Sequence, residues 1–548
     1  MKRMERWPFK HAPSPECLPE RARYRHSTRT ALSGRSRSTI ALAVSVLFLI
    51  SFLISGCTVA QPTSKEPKTL KVLSYSYQFN EFAALYSITH DDVELSLIRL
   101  DEKIQELYQA YDEKIRENPE EANGVDVRTL YDDLLTGPDA PDVVIVDEGI
   151  YRYLMQKGEL SSLDGYIQKD KFDLDGLAPV VLEALRSPDD GAIYGLSPGF
   201  ISTVLAYNKD RFDAMGVPYP EDGLTWDELF TLAESVAGDK DGKPYYGLST
   251  SNSLGMISGE PYQLIEFMLK QQGKGLTFPD DGSSPAFLTP EREALWGKMK
   301  DLIQRNIVAR PYYERMQGKS NMTGEGGFPE EGAQGIEDMP YPPDYGGPFA
   351  DDDFISGRSA MQLMSYYSIR QIIDIQNNKI LFGGDWKGID FSWDIATFPT
   401  AADHSEAGAI VNLTSVYAIN ANASQPALAW DFIQFVHSDK VMKAKQQTDT
   451  YNLFSRVKYN EKPEYDGLHM EAFWSGKPLH DTSNDPLTGN FYGIGMEKDI
   501  NKYYQAYDSL RQAFKEMLSN NLSPKEALEK AQQTYNQMSN EDPTVPMR

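Results

Sequence analysis

The chain has 548 residues, 54 Lys and Arg against 80 Asp and Glu, a formal charge of −26 and only two cysteines. Ten basic and three acidic residues fall within residues 1–56, so the remainder carries about −33, a charge that repels phosphate backbones and anionic headgroups and excludes a nucleic-acid partner. Beyond Cys17 and Cys57 there is no thiol, which excludes disulfides and cysteine-based metal sites in the folded body.

The basic N-terminal segment runs to Arg37 and is followed by a mostly apolar stretch over residues 40–54, the layout of a secretory signal. That stretch falls short of the roughly 20 residues a spanning helix needs. Its ending, Leu53-Ile54-Ser55-Gly56-Cys57, resembles a lipobox, in which the cysteine is lipidated and becomes the new N-terminus. Residues 1–56 are therefore expected to be a signal peptide with a lipobox, Cys57 the lipidation site, and residues 57–68 a polar, lipid-anchored tether with Pro62, Ser64 and Pro67.

The alternating stretch 69–75 predicts a strand, residues 101–117 an acidic amphipathic helix, and Val143-Val144-Ile145-Val146 a buried parallel strand. Strand, helix and strand make a βαβ start, and ligands of open α/β sheets sit beyond the carboxyl ends of such strands. The loops expected there are 76–80 and 147–151. Farther on, 203–207 reads as a strand, Asn208-Lys209-Asp210 as a helix start, and Thr225 with Glu228 as a capping box opening the helix 226–236. Asp239 to Lys243 is a turn with a partial likeness to a calcium loop, and a solvated hairpin is favoured over a metal site. Residues 314–353, rich in Gly, Pro and acid, read as a long surface excursion. Strands follow at 392–399 and 416–419, a helix opened by Pro426 at 427–436, and two C-terminal helices at 502–518 and 523–538. Trp226, Trp393 and Trp430 are assigned to packing. The roughly 480 residues after the tether exceed what one core of 50–200 residues holds, so two lobes are expected.

Four blocks in this order resemble the extracellular solute-binding proteins of ABC importers, the family that includes maltose- and oligosaccharide-binding proteins. They are Tyr194-Gly195-Leu196 with Ala206-Tyr207-Asn208-Lys209-Asp210; Gly216-Val217-Pro218 with Thr225-Trp226-Asp227-Glu228; residues 354–361; and Ala429-Trp430-Asp431-Phe432-Ile433. The resemblance implies an α/β, two-lobed periplasmic-binding-protein-like fold with a hinge and an interlobe ligand cleft. By that analogy residues 69–197 plus 412–455 form lobe I, and 198–411 plus 456–548 form lobe II. The chain would cross near 195–200, near 409–413 and again near 454–458.

The same resemblance implies the site. Glu260 and Tyr262 match a Glu-Pro-Tyr segment that binds sugar, and Tyr366 and Tyr367 fall where the family's cleft tryptophan follows a strand, with Tyr here in place of Trp. Asp147 and Glu148 follow the Pro-Asp strand, Tyr75, Tyr77 and Gln78 follow the first strand, and Pro198 and Gly199 lie on a crossing. Carboxylates and amides pair with sugar hydroxyls while tyrosine rings supply apolar area. Plainer readings stand beside these: core aromatics for Tyr366 and Tyr367, a helix-start acid for Glu260, and a solvated loop for Asp147 and Glu148.

The function implied is a lipid-anchored, monomeric receptor on the extracytoplasmic face of the cell membrane that delivers a small solute, an oligosaccharide, to ABC permease subunits. Two alternatives use the same residues differently: a secreted glycan-cleaving enzyme with Asp147, Glu148 or Glu260 as acid and base, and a surface sensor or adhesin. No Ser-His-Asp, His-Glu-x-x-His or glycine-rich phosphate loop stands out. His90, His404, His437, His469 and His480 have no ligand-like spacing, so no metal and no cofactor are expected.

Overall fold

The computed structural model describes residues 67–118, 125, 127–250, 260–279, 284–310, 352–377, 389–401, 407–448, 452–478 and 497–540. Glu66–Arg548 form one compact unit. The expected signal segment with Cys57 and the expected tether through residue 66 lie outside the described residues, as does nearly all of 314–353.

The strands are β1 (Lys68–Ser74), β2 (Val93–Arg99), β3 (Val143–Val146), β4 (Gly195–Leu196), β5 (Gly199–Asn208), β6 (Gly238–Lys240), β7 (Lys243–Ser249), β8 (Ser359–Ser365), β9 (Trp393–Ala396), β10 (Ala407–Ala409), β11 (Val411–Leu413), β12 (Val416–Ile419), β13 (Leu453–Phe454) and β14 (Lys477–Pro478). They form two main sheets. The first has the order β2-β1-β3-β12-β4, and the second β11-β5-β8-β7-β6 with β9 and β13 also paired to β5.

In the first sheet β1 runs parallel to both β2 and β3, while β12 is antiparallel to β3 and β4. All four residues of β3 are buried, as a strand covered on both faces requires. Each such aliphatic side chain contributes about 1.5–3 kcal/mol. The helix Pro426–Val436 packs Trp430, Phe432 and Ile433 into the same core, at the helical spacing the sequence shows.

Four sequence expectations are corrected here. Between β1 and β3 the chain holds the additional strand β2 and the helices Ser76–Thr89 and Arg128–Thr136, where one helix was expected. The expected loops 76–80 and 147–151 are helix starts, because each parallel strand passes directly into its crossover helix, Ser76–Thr89 or Glu148–Gln156. Lys68, expected to end the tether, instead belongs to β1, where it pairs with Val93. The excursion also ends earlier than expected. Asp352 and Asp353 are buried, Asp352 accepting from Ile355 N at 2.8 Å and from Gln362 Nε2 at 2.9 Å.

The second core lies under β7 and β8 and takes in Trp226, Trp296, Phe398 and the C-terminal helices Glu497–Ser519 and Pro524–Asn540. Thr225 and Glu228 form the capping box the sequence predicts, with bonds of 3.3 and 2.9 Å. The hairpin β6–β7 turns on Asp241 and Gly242, both at positive φ, and Asp239 Oδ1 accepts from Gly242 N at 2.8 Å. A buried bidentate pair, Arg292 with Glu266 at 2.8 Å for each bond, joins the helices Pro261–Gln271 and Pro290–Gln304.

Among the described residues three passes of chain link the sheets, and all meet β5 at its start. The first is β4 into β5 itself. The second is β11, whose Leu413 pairs with Phe200, continuing after two residues into β12. The third is β13, whose Leu453 also pairs with Phe200. A Cβ on Gly199 would lie 2.9 Å from Leu453 O, so glycine is what allows the first and third passes to approach this closely.

Candidate functional site

Because β1, β2 and β3 are parallel, Tyr75, Leu100 and Asp147 all emerge at one edge of the first sheet. The starts of three helices emerge with them. Antiparallel β12 begins at that same edge, so Thr414 and Ser415 of the second pass also lie there, and Ser197 to Gly199 follow β4. In the second sheet, parallel β7 and β8 end toward the crossing, since Ser365 pairs with Thr203 near the start of β5. The carboxyl ends of the parallel strands in both sheets thus face the crossing, the location where α/β sheets place ligands.

On the first-sheet edge Tyr75 and Tyr77 stack, with ring centroids 5.8 Å apart and planes at 24°. Tyr77 is 68% exposed, an unusual state for so large a ring. Asp147 caps the helix Glu148–Gln156, its Oδ1 accepting from Ile150 N at 3.0 Å. Burial raises the Asp147 carboxyl above its usual range despite the backbone bonds that oppose the shift. The Tyr75 hydroxyl is raised as well, by burial first and then by Asp147, Tyr77, Asp101 and Tyr108, and Tyr131 is raised by burial, Asp147, Tyr75 and Tyr77. These phenols therefore stay neutral donors at ordinary pH. Ser76 Oγ donates to the Asp101 carboxylate at 3.2 and 3.3 Å.

The other expected residues on this side are placed differently. Gln78 is buried and donates from Nε2 to Ser415 Oγ at 3.1 Å. Glu148 pairs with Arg152 at 2.7 Å through Oε1 and accepts from Leu413 N at 3.2 Å through Oε2. Pro198 and Gly199 are buried inside the crossing. Pro198 O accepts from Ser455 N at 3.0 Å, and Gly199 O accepts from Thr414 N at 3.1 Å, Thr414 Oγ1 at 2.9 Å and Ser197 Oγ at 2.7 Å. Their carbonyls are thus occupied by the chain itself.

On the second-sheet side Tyr366 is 2% exposed, packs edge-on against Tyr465 and Phe473, and shares a hydroxyl contact of 2.6 Å with Tyr465. Its neighbour Tyr367 is 36% exposed. Tyr262, 4% exposed, lies in the second core beside Phe514. Glu260 precedes the helix Pro261–Gln271 and is half-buried. Consecutive residues at a helix start point in different directions, which is why Tyr366 and Tyr367 part company.

Ser76, Asp101, Tyr108, Tyr131, Thr414 and Ser415 adjoin the expected residues and were not singled out from the sequence. The signal for Asp101 was a strand, β2, hidden in a stretch without clear alternation. Among the described residues no group of three or more His, Cys, Asp or Glu could hold a metal ion, and no helix is long and apolar enough to cross a membrane.

The two sheets, the repeated crossings and the shared strand-end edges define a two-lobed α/β binding-protein fold. Solved structures share it: a sugar transporter from Rhizobium etli in an open conformation (19% identity, 85% of this chain and 99% of that one, TM-score 0.50), an extracellular solute-binding protein family 1 member from Alicyclobacillus acidocaldarius (14%, 86% and 99%, 0.53) and UspC from M. tuberculosis (15%, 86% and 99%, 0.50). Residues 114–466 match the bacterial extracellular solute-binding protein family, and the chain belongs to that family.

Proposed function

We propose that this protein is the lipid-anchored receptor of an ABC importer, which captures an oligosaccharide between its lobes and hands it to the membrane permease. The observation that carries this reading is the stacked Tyr75–Tyr77 pair, open at Tyr77 and set beside Asp147. Aromatic faces cover the apolar faces of sugar rings, and a carboxylate accepts two neighbouring hydroxyls. A solved structure of the same fold is that of a sugar transporter, which supports the same solute class. On this reading residues 69–197 plus 412–455 and 198–411 plus 456–548 are the two lobes. Tyr75, Tyr77, Asp147, Glu260 and Tyr367 touch the solute, while Gln78, Glu148, Pro198, Gly199, Tyr262 and Tyr366 hold those contacts in place. No bond is made or broken: solute shifts an equilibrium between open and closed forms. Glu148 paired with Arg152 and Asp147 engaged as a helix cap are poorly suited to act as an acid and base pair. Cys57 carries the anchor, and the monomeric receptor stays concentrated beside the permease.

Calorimetry and thermal shift with malto-, cello- and mannotriose test the proposal. Saturable binding of one of them, with the trisaccharide recovered intact, is expected, and release of shorter sugars would overturn the receptor reading. Cys57→Ser should move the protein from the membrane fraction to the soluble fraction without changing its affinity.

A further inference from the structure

Gln78 and Glu148 each adjoin a proposed solute contact in the chain, Tyr77 and Asp147 respectively, yet both side chains end on the second pass. Thr414 and Ser415 are the only residues between β11 of the second sheet and β12 of the first. Any rotation of one sheet against the other is absorbed at such short links. Glu148 Oε2 holds Leu413 N on one side of the link, and Gln78 Nε2 holds Ser415 Oγ on the other. Glu148 is itself fixed, its Oε1 taking two bonds from Arg152 at 2.7 and 3.2 Å, and Arg152 Nη2 also donates to Ala184 O at 3.1 Å. Ser415 Oγ donates onward to Thr414 O at 2.7 Å, and Thr414 reaches the first pass at Gly199 O. A chain of bonds thus runs from the tyrosine and aspartate corner through the second pass to the first. The Gln78 bond is buried and the Glu148 bond charge-assisted, so water competes with them weakly.

We propose that Gln78 and Glu148 are positioning residues that clamp the Thr414–Ser415 link and set how far the lobes open. This rests on the reading of the crossing as the hinge of a closing cleft. The clamp explains why two polar side chains beside the solute corner are turned away from it. Solute that shifts Tyr77 or Asp147 also shifts the residue that holds the hinge.

The test is pulsed electron spin resonance on the full chain without solute. Cys17 and Cys57 are replaced by serine, and labels are placed on Gln168→Cys and Ser235→Cys, exposed sites on the helices Asp164–Asp170 and Trp226–Val236. Glu148→Ala should shift the mean separation by about 3 Å or more, or split the distribution. Gln78→Ala should act in the same direction by less. Glu148→Gln, which still offers one oxygen to Leu413 N but loses the Arg152 pair, should move the distribution clearly less than Glu148→Ala. An unchanged distribution in Glu148→Ala overturns the proposal. So does a shift in Glu148→Gln as large as that in Glu148→Ala, because the lost charge opposite Arg152 would then be the cause. No solute enters the measurement, so its failure leaves the receptor reading standing.

Discussion

The two strand-end edges that face the crossing are built on different physics. On the first-sheet side the exposed ring of Tyr77 stacks on Tyr75, and the half-buried Asp147 caps a helix beside a group of neutral phenols. On the second-sheet side Tyr366 and Tyr262 are packed into cores, and Tyr367 is the tyrosine left open. A tyrosine is thus left open on one side and packed into a core on the other, and its position in the first helical turn decides which.

The largest expected effect breaks the comparison if it fails. Tyr366→Ala should cost about 3–5 kcal/mol in denaturant unfolding, the range for emptying a buried aromatic site. A loss below about 1 kcal/mol would mean that the ring is not core. Next comes pH, which should reach the first-sheet side. His437, buried at the end of the helix Pro426–Val436, has Nδ1 on Ile433 O at 2.8 Å and no hydrogen-bond partner for Nε2 among the described residues. Burial holds its imidazole down at about 4. The folded state binds fewer protons than the unfolded one below the ordinary value of 6.5. This contribution to stability is therefore full above pH 6.5 and is lost as pH falls toward 4, by about 3 kcal/mol. In His437→Gln that slope should flatten, and an unchanged slope would move the titration elsewhere.

Smaller still are the binding effects. Tyr77→Ala and Tyr367→Ala should each weaken trisaccharide affinity about tenfold, roughly 1.4 kcal/mol, with melting temperature nearly unchanged. Unchanged affinity in both would misplace the site. The smallest effect concerns Asp147, whose carboxyl is raised in the folded state above 3.8. Its contribution is present below pH 3.8 and is lost as pH rises through the raised value. Asp147→Asn keeps a cap acceptor, so the variant should melt slightly higher than the parent at pH 7 and no higher at pH 3.

Much of this architecture is legible in the sequence because local signals agree with the fold. The buried run Val143–Val146, the capping box at Thr225, the strand Val416–Ile419 and the helix opened by Pro426 occur where their residues place them. What failed was finer. In β2, partly buried residues alternate weakly, so the strand has no clean period to display. Gln78, Glu148, Tyr262 and Tyr366 were legible as candidate positions, but the partners their side chains take within the chain were not. One residue of offset on a helix changes the direction by about 100°, and only the packing of the neighbours, Ser415, Leu413, Phe514 and Tyr465, decides the outcome.

Phe200, fully buried on β5, is flanked by Leu413 on one side and Leu453 on the other, so three separate stretches of chain share one joint. Such a joint is mechanically redundant. A peptide-bond cut in any one pass leaves two covalent links and the strand pairing at Phe200, so a nicked molecule should stay whole until it is denatured. The same redundancy tolerates long insertions between passes, because the ends of an insertion return to strands already fixed in register. The fold thereby gains durability from its topology, independent of any single contact.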